Sequence, residues 1–430
     1  MKRAVRPWGA AVVWLAGVAA CLTGCEERQR LNPLDPLNPV TRGRPTGVRV
    51  VSEMHDITVS WEPIAVEGMV GYRLHRRIAG EGLFQLVSEV SADSCLFRDH
   101  RRPFGVVHEY CVSALAGDYE SPCSAPVSIT PGPTFCWVVS SYDGSVVRLT
   151  HDRRHELLRY KSMAYPWIVE ADPVTGSAWV VDAIYGSVTE VTASGSERVR
   201  LGWFRQPSDI ALDPRRRHLW ITEQVSTDSA VVHKFTTDGT LIFTRAGLVS
   251  PSRLAIDTKT GSCFVADTRA QKVLRVAGNG QLSQVAEKLV WPTGLACDPQ
   301  SGQLWIADAT QVLRLSLRTG TLAQAEGPFV RAYVAAANDS TGECWVVDLG
   351  PLAGQAQVVR LTSDGRRVAS YGPFVQPYGV TVNIYDGCCI VADTGADKLV
   401  EIAPDGTMQP LPIQVARPWD TVVENHYPLR

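Results

Sequence analysis

Short apolar runs that end in a polar residue recur at regular spacing through the C-terminal two thirds of the chain. Residues 304–308 read LWIAD, and similar pentapeptides stand at 178–182, 219–223 and 263–267. Runs of this length, rich in β-branched and aromatic residues, are typical of buried strands. Seven residues end these runs, 40 to 45 positions apart: Ser140, Asp182, Glu223, Asp267, Asp308, Asp348 and Asp393.

Two further positions keep the same register. Ten residues before the final acid, from the second copy onward, stand Asp172, Asp213, Asp257, Asp298, Asn338 and Asn383. Six residues before those stand Pro166, Pro207, Pro251, Pro292, Ala332 and Pro377. The turn that follows has a glycine at one fixed place, with Arg217 as the single exception, and hairpin signals such as TSDG at 362–365 come later in the unit. The unit predicts four strands, which is one blade of a β-propeller.

The two ends of the repeat region predict how the ring closes. The first copy lacks its Pro-containing strand, whereas residues 417–425 (RPWDTVVEN) form such a strand with no successor. Pro418 and Glu424 occupy the two expected positions. The C-terminal strand should complete the first blade, because this leaves no open sheet edge. Residues 134–430 are therefore predicted to form seven blades, and the fold class is all-β.

The repeats resemble NHL repeats, whose pattern of Pro, Gly, acid and a final Val-Ala-Asp is clearest in WPTGLACDPQSGQLWIAD at 291–308. The resemblance extends over the whole repeat region and implies the propeller architecture. It implies no single activity, because this fold occurs in lyases, lactonases and binding proteins alike.

Residues 46–130 alternate apolar and polar positions in about seven strand-like runs, which predicts a small β-sandwich. The stretch resembles a fibronectin type III domain. Trp61, Tyr72 and Tyr110 stand where that family has its core Trp, its core Tyr and its corner Tyr, so all three are expected in the core. Cys111 and Cys123 flank a turn and could form a disulfide, although spacing alone does not set the pairing.

The N-terminus has the form of an export signal, with basic residues, an apolar core from 8 to 22 and small residues before Cys25. The stretch LTGC resembles the lipobox of bacterial lipoproteins, which implies that residues 1–25 are a signal peptide ending at a lipidated Cys25. An ordinary secretory signal or an uncleaved anchor is the alternative. The next residue is Glu26 instead of the Asp that retains lipoproteins at the inner membrane, so the outer membrane is the expected location. Residues 26–45 contain four prolines and predict a semi-extended tether.

The charge and the cysteine content of the chain limit which binding partners and which cellular compartment are expected. The formal net charge is −2, and removal of Lys2, Arg3 and Arg6 with the signal makes it −5, which does not favour a nucleic-acid partner. The chain has eleven cysteines, and nine remain after Cys21 and Cys25. At least one thiol is then unpaired in an oxidising envelope.

The recurring acid is interpreted as structural. A catalytic group is needed once, whereas a turn-forming Asp, which accepts hydrogen bonds from amides two or three residues on, is needed in every blade. Calcium-loop and zinc motifs are absent from the sequence, so no metal and no cofactor are predicted. Lactonase-type propellers that resemble senescence marker protein hold a divalent cation in the channel through Glu, Asn and Asp. Their motifs do not match here, and Glu170, Asn383 and Glu424 are the only candidates considered on inner strands.

The loops before the Pro strands and after the acids should share one end of the ring and form a ligand face. Aromatic and Arg side chains are frequent anchors of interfaces, although the same rings could instead wedge between blades. The candidate face comprises Tyr165, Trp167, Tyr185, Arg253, Arg269, Trp291, Tyr333, Tyr378 and Trp419. The predicted function is a membrane-anchored, non-enzymatic envelope lipoprotein that binds a protein or glycan. A metal-dependent, lactonase-like hydrolase or lyase acting in the channel is the alternative.

Overall fold

A computed structural model describes residues 31–425, so the predicted signal segment and the lipidation site at Cys25 lie outside the described residues. The chain divides into two compact units, one formed mainly by residues up to Ser128 and the other mainly by Ile129 onward. Across residues 31–425, no helix has both the length and the apolar character needed to cross a membrane.

The first unit contains eight strands in two sheets. One sheet has the order β1-β2-β5, and the other has the order β4-β3-β6-β7 with β8 paired to β6. The strands are β1 Arg49–Glu53, β2 Asp56–Ser60, β3 Met69–Ile78, β4 Gln85–Ser91, β5 Leu96–Asp99, β6 His108–Ala116, β7 Tyr119–Glu120 and β8 Val127–Ile129.

The aromatic core of this unit contains the residues that the sequence predicts. The rings of Trp61 and Tyr72 meet edge to face, with centroids 5.2 Å apart, and the Tyr72 hydroxyl accepts a hydrogen bond from the amide of Ile64 at 2.9 Å. Tyr72 and Tyr110 are fully buried. The two sheets agree with the predicted β-sandwich, and its assignment to the fibronectin type III family stays a prediction. The Sγ atoms of Cys111 and Cys123 lie 2.7 Å apart, and a disulfide between them stays a prediction.

The Pro-rich segment, described from Leu31, is a run of turns and not the semi-extended tether that its composition predicts. Asn32, Asp35 and Asn38 each precede a proline or stand beside one, and each side chain accepts the amide two residues on, at 2.8 to 2.9 Å. This Asx-turn geometry recurs because the sequence NPLDPLNP repeats the same turn signal three times. Leu34 is buried within the described structure.

Residues 129–425 contain seven four-stranded sheets, which confirms the predicted seven blades. Blade 1 has the strand order β11-β10-β9-β36, and blades 2 to 7 use four consecutive strands each. The strands of blades 1 to 3 are β9 Phe135–Ser140, β10 Ser145–Leu149, β11 Glu156–Lys161, β12 Pro166–Asp172, β13 Ser177–Asp182, β14 Ser187–Val191, β15 Glu197–Leu201, β16 Pro207–Asp213, β17 His218–Ser226, β18 Ser229–Thr236 and β19 Leu241–Leu248.

The remaining blades follow the same plan, and the inner strands of neighbouring blades contact one another around the ring. A short 3-10 turn, Thr394–Ala396, lies in blade 7. The strands are β20 Pro251–Asp257, β21 Ser262–Asp267, β22 Lys272–Val276, β23 Leu282–Ala286, β24 Pro292–Asp298, β25 Gln303–Asp308, β26 Gln311–Ser316, β27 Leu322–Gln324, β28 Ala332–Asn338, β29 Glu343–Asp348, β30 Ala356–Leu361, β31 Arg367–Phe374, β32 Pro377–Val382, β33 Cys389–Asp393, β34 Lys398–Ile402, β35 Met408–Pro410 and β36 Pro418–Glu424.

The C-terminal strand closes the ring as the sequence predicts. β36 pairs antiparallel with β9, with Pro418 opposite Ser140 and Glu424 opposite Phe135. The pentapeptide strands form the middle of each blade, and their tryptophans fill the space between blades. Five of these tryptophans are fully buried: Trp137, Trp179, Trp220, Trp305 and Trp345.

The turn between the first two strands of a blade uses the fixed glycine for its backbone conformation. Gly176 and its counterparts have φ near 70°, where a side chain is disfavoured. Arg217, the single exception, also adopts a positive φ of 56°. Its guanidinium lies 2.6 Å from the buried carboxylate of Asp172 in the preceding blade.

Candidate functional site

A bulge after each leading Pro position shapes one end of the ring, which we call the mouth. In all seven blades the residue after the Pro position is skipped in the pairing register, for example between Pro292 and Gly294. A bulged residue leaves the ladder and can point away from the sheet. In chain order from blade 2 to blade 7 and then blade 1, the bulged residues are Trp167, Ser208, Ser252, Thr293, Tyr333, Tyr378 and Trp419.

These seven positions divide the mouth into two arcs. Blades 6, 7, 1 and 2 present aromatic rings, whereas blades 3, 4 and 5 present hydroxyl groups. The hydroxyls are used within the fold, since Ser252 and Thr293 donate to the carbonyls of Pro292 and Ala332 in the next blade, at 3.1 and 3.2 Å. The aromatic side chains of blades 6, 7, 1 and 2 are therefore the part of the mouth that can contact a ligand.

The recurring acids hold the loops that carry the mouth residues. The amides of Val290 and Trp291 donate to the Asp308 carboxylate at 2.9 and 2.6 Å. Asp182, Asp267, Asp348 and Asp393 accept from the equivalent amides, 17 and 18 residues earlier. These contacts agree with the structural interpretation of the acids. Partners in the preceding loop recur in all five blades, and Asp182 also accepts the amides of Ile184 and Tyr185, two and three residues on, at 3.0 Å.

The two blades that have Glu223 or Ser140 in place of the Asp also differ in their hydrogen bonds at this position. Glu223 accepts the amide of Arg205 at 2.8 Å, and its second oxygen lies 2.8 Å from Nε2 of His233. The Ser140 hydroxyl donates to the carbonyl of Ala416. A shorter or longer side chain in place of Asp therefore holds its loop through fewer amides.

A cavity of about 640 Å³ opens at the mouth over blades 5 to 7, within the size range of small-ligand sites. Its walls are mostly aromatic and aliphatic, and the Arg331 guanidinium is the charged group among them. The lining residues are Trp291, Thr293, Ala309, Val330, Arg331, Ala332, Tyr333, Leu349, Tyr378 and Trp419.

Four aromatic rings form a continuous chain along one side of this cavity. The ring centroids of Tyr333 and Tyr378 are 5.7 Å apart, those of Tyr378 and Trp419 are 4.7 Å apart, and those of Trp419 and Tyr165 are 6.2 Å apart. Tilted contacts at these distances are favourable for aromatic pairs. Trp419 also packs against the core between blades 1 and 2, so it both wedges between blades and faces the cavity.

The structure does not bring the whole predicted face together. Trp167 and Arg269 line a separate cavity of about 330 Å³ over blades 2 to 4. Tyr185 is exposed on the loop after Asp182. Arg253 does not line either cavity, and its guanidinium lies 3.3 Å from the buried Asp209 carboxylate of blade 3.

The channel below the mouth contains a charged cluster. Asp209 and Asp420 each accept the inner-edge amide of the next blade, from Leu254 at 2.5 Å and from Val169 at 3.2 Å. These bonds satisfy amides that have no partner strand. Burial lowers the pKa of Arg253, but the carboxylates of Asp209 and Asp420 outweigh it and raise the pKa above its usual range.

Two of the channel acids have pKa values close to neutrality. Burial raises the pKa of Asp209 to about 6, although Arg253 opposes this effect. Burial, followed by repulsion from Asp209, raises the pKa of Glu170 to about 8. We therefore expect these two carboxyl groups to change protonation near neutral pH.

Substituting Glu170 by Gln should flatten the dependence of stability on pH. Because the folded-state pKa exceeds the unfolded value of about 4.5, the folded state holds an extra proton between pH 4.5 and 8, and stability falls as pH rises through this window. The slope is at most about 1.4 kcal/mol per pH unit. The amide cannot ionise, so Glu170→Gln should melt at a higher temperature than wild type at pH 8 and at the same temperature at pH 4.5.

Thermal unfolding followed by circular dichroism at pH 4.5, 6 and 8 measures this effect. Glu287→Gln, at an exposed position, is the control and should match wild type throughout. If Glu170→Gln raises the melting temperature above that of wild type by the same amount at all three pH values, the proposed ionisation of Glu170 is contradicted.

The candidate metal ligands do not form one site. Asn383 donates to Thr134 at 2.9 Å and to Asp386 at 3.1 Å, and Glu424 accepts from Arg148 at 3.1 Å. Glu170 lies instead in the channel, on the wall of a cavity of about 240 Å³. Within residues 31–425, no three His, Cys, Asp or Glu side chains are grouped as metal ligands.

Sequence reasoning missed an exposed apolar set at the mouth. Trp203 is fully exposed, and Val290, Val330, Leu352 and Val375 are also exposed. Their place in the repeat could have identified three of these residues in the sequence. Val290, Val330 and Val375 all stand two residues before the Pro position of consecutive blades.

No protein-family model and no curated protein matches the sequence. Many solved structures match the fold. A functionally unknown protein from Desulfotomaculum acetoxidans DSM 771 is 10% identical, with a TM-score of 0.57, and the match covers 66% of this chain and 96% of that one. A putative 6-phosphogluconolactonase from Bacteroides uniformis ATCC 8492 is 12% identical, with a TM-score of 0.55 and coverage of 67% and 99%.

A third similar structure is a catalytically inactive virginiamycin B lyase from Staphylococcus aureus with quinupristin, at 12% identity, a TM-score of 0.50 and coverage of 66% and 89%. These identities establish a shared β-propeller fold and no shared activity.

Proposed function

We propose that this chain is a lipid-anchored envelope protein that binds a protein or glycan at the mouth of its propeller. The observation that carries the proposal is the aromatic cavity over blades 5 to 7, in which Trp291, Tyr333, Tyr378 and Trp419 surround about 640 Å³. Aromatic side chains around one concave site are typical of ligand recognition, because they bury large areas at a small cost in side-chain entropy.

The fold supports a binding role through the rigidity of this site. The amide of Trp291 is held by Asp308, and the ring of Trp419 is packed between its neighbours. A site that is already ordered loses little conformational entropy when a ligand binds. The anchor part of the proposal depends on the lipobox-like sequence LTGC ending at Cys25.

Removing two aromatic anchors should abolish ligand capture without unfolding the protein. Buried anchors typically contribute about 2 kcal/mol or more each, so Trp291→Ala with Trp419→Ala should weaken binding by more than about 100-fold. Full-length protein purified in detergent is tested against solubilised envelope proteins by cross-linking and against a glycan array.

In cells that express the full chain, Cys25→Ser should shift the protein from the membrane fraction to the soluble fraction.

Trp203→Ala is the matched control, because this tryptophan is fully exposed and lies outside the cavity. It should leave capture unchanged. If the double variant keeps its melting transition and still captures the same ligands as wild type, the mouth is not the binding site. If the Cys25→Ser protein stays in the membrane fraction, the anchor is not at Cys25.

A further inference from the structure

Exposed apolar side chains border the cavity. They lie on the loops of blades 5 to 7, and Trp291 and Leu352 are 53% and 65% exposed. We call this set the apolar rim. It consists of Val290, Trp291, Val330, Leu352 and Val375.

The apolar rim is held in place by buried carboxylates. The amides of Val290, Val330 and Val375 donate to Asp308, Asp348 and Asp393, at 2.9 to 3.2 Å. The equivalent residues of the other blades are Ala164, Arg205, Val249 and Ala416. At this position, exposed valines therefore stand in the three blades over which the cavity opens, and their backbone is held before any partner arrives.

Such a rim favours a protein partner over a glycan. Exposed valine and leucine side chains gain free energy only when apolar surface covers them. A sugar can stack on the aromatic rings, but it offers little apolar surface to the aliphatic groups around them. An anchor side chain in a pocket, enclosed by surrounding contacts that exclude water, is the usual centre of a protein interface.

Two arginines add a charge preference to this surface. Arg331 lines the cavity, and Arg417 lies on the loop that leads to Trp419. Both are exposed, and neither guanidinium is paired with a carboxylate in the described part of the chain. The nearby Asp308 and Asp348 carboxylates face backbone amides. A guanidinium without a partner favours a carboxylate, which it can bind through two hydrogen bonds.

We propose that the mouth docks an exposed peptide segment of another protein. The segment inserts an aromatic or aliphatic side chain into the cavity, covers the apolar rim and places an Asp or Glu carboxylate against Arg331. This inference rests on the proposed function and specifies its partner as an acidic, apolar peptide.

A library of random 12-residue peptides displayed on phage, panned against the full chain in detergent, tests the inference. Recovered peptides should combine an aromatic or aliphatic residue with a nearby Asp or Glu. For one such peptide, fluorescence anisotropy should show at least tenfold weaker binding to Arg331→Glu. Replacing the peptide's acid by its amide should remove most of that difference between the two proteins.

Arg318→Glu is the matched control, because Arg318 is also exposed but lies on the β26–β27 hairpin at the opposite end of the blade. It should bind the peptide within twofold of wild type. Peptides without an acidic preference, or equal binding to Arg331→Glu and wild type, overturn the inference. If no peptide is recovered but a glycan binds and depends on Trp291, the peptide inference fails and the proposed function stands. If neither peptide nor glycan binds, both fail.

Discussion

Truncation after Ala416 should abolish cooperative folding of the propeller. The truncated chain lacks β36, so blade 1 keeps three strands and β9 has an unpaired edge. β36 also bonds to both neighbouring blades, since Asp420 accepts the amide of Val169 at 3.2 Å and the amide of Val423 donates to Thr381 at 3.1 Å. The free energy of unfolding of a folded protein is only about 5–15 kcal/mol. The loss of β36, the innermost strand of blade 1, should cost more than this.

Circular dichroism during heating and limited proteolysis measure this loss. Truncation after Asn425 is the matched control, because it removes only residues beyond β36 and should keep the wild-type melting temperature. A synthetic peptide of residues 417–425 should restore protease resistance to the longer deletion by adding the missing strand. A wild-type melting transition in the chain that ends at Ala416 would show that the ring does not depend on this closure.

The propeller was predictable because its units repeat a local pattern. Each Pro strand pairs with the pentapeptide strand that follows it, as Pro292 does opposite Asp308, so the register is set over about one hairpin. Closure was also predictable, because residues 417–425 complete the unit that the first copy lacks. Neither inference required knowledge of contacts between residues that are distant in the chain.

The candidate site was only partly predictable for the same reason. The loops of the mouth followed from the repeat, and four predicted residues, Trp291, Tyr333, Tyr378 and Trp419, do line one cavity. Arg253 lies apart from that cavity, beside Asp209, and the register shift between Pro251 and Arg253 could not be seen in the sequence. A one-residue shift in register changes the face of a side chain, and the pattern of apolar residues does not reveal the bulge.

The side-chain contacts between blade 1 and blade 7 could not be predicted. Arg153, in the loop between β10 and β11 of blade 1, has a left-handed backbone with φ of 59° and is buried. Its guanidinium reaches blade 7, where it donates to Glu401 at 2.6 Å and to Asp386 at 2.9 Å. Burial lowers the pKa of Arg153, but these two carboxylates outweigh it and raise the pKa. The partners lie 233 and 248 residues away in the chain, and residues 151–154 lack the glycine that the equivalent hairpins of the other blades contain.

Substituting Arg153 by Met should therefore lower the free energy of unfolding by about 3–5 kcal/mol, because it leaves the buried Glu401 carboxylate without its cation. Urea unfolding at pH 8 measures the loss. Arg366→Met, which removes an exposed pair with Asp364, should cost less than about 1 kcal/mol. Glu401→Gln in the same chain should recover part of this loss, because it removes the carboxylate that Arg153 leaves unpaired. If Arg153→Met costs no more than Arg366→Met, the ion pair is not what joins blade 1 to blade 7, and backbone pairing through β36 alone closes the ring.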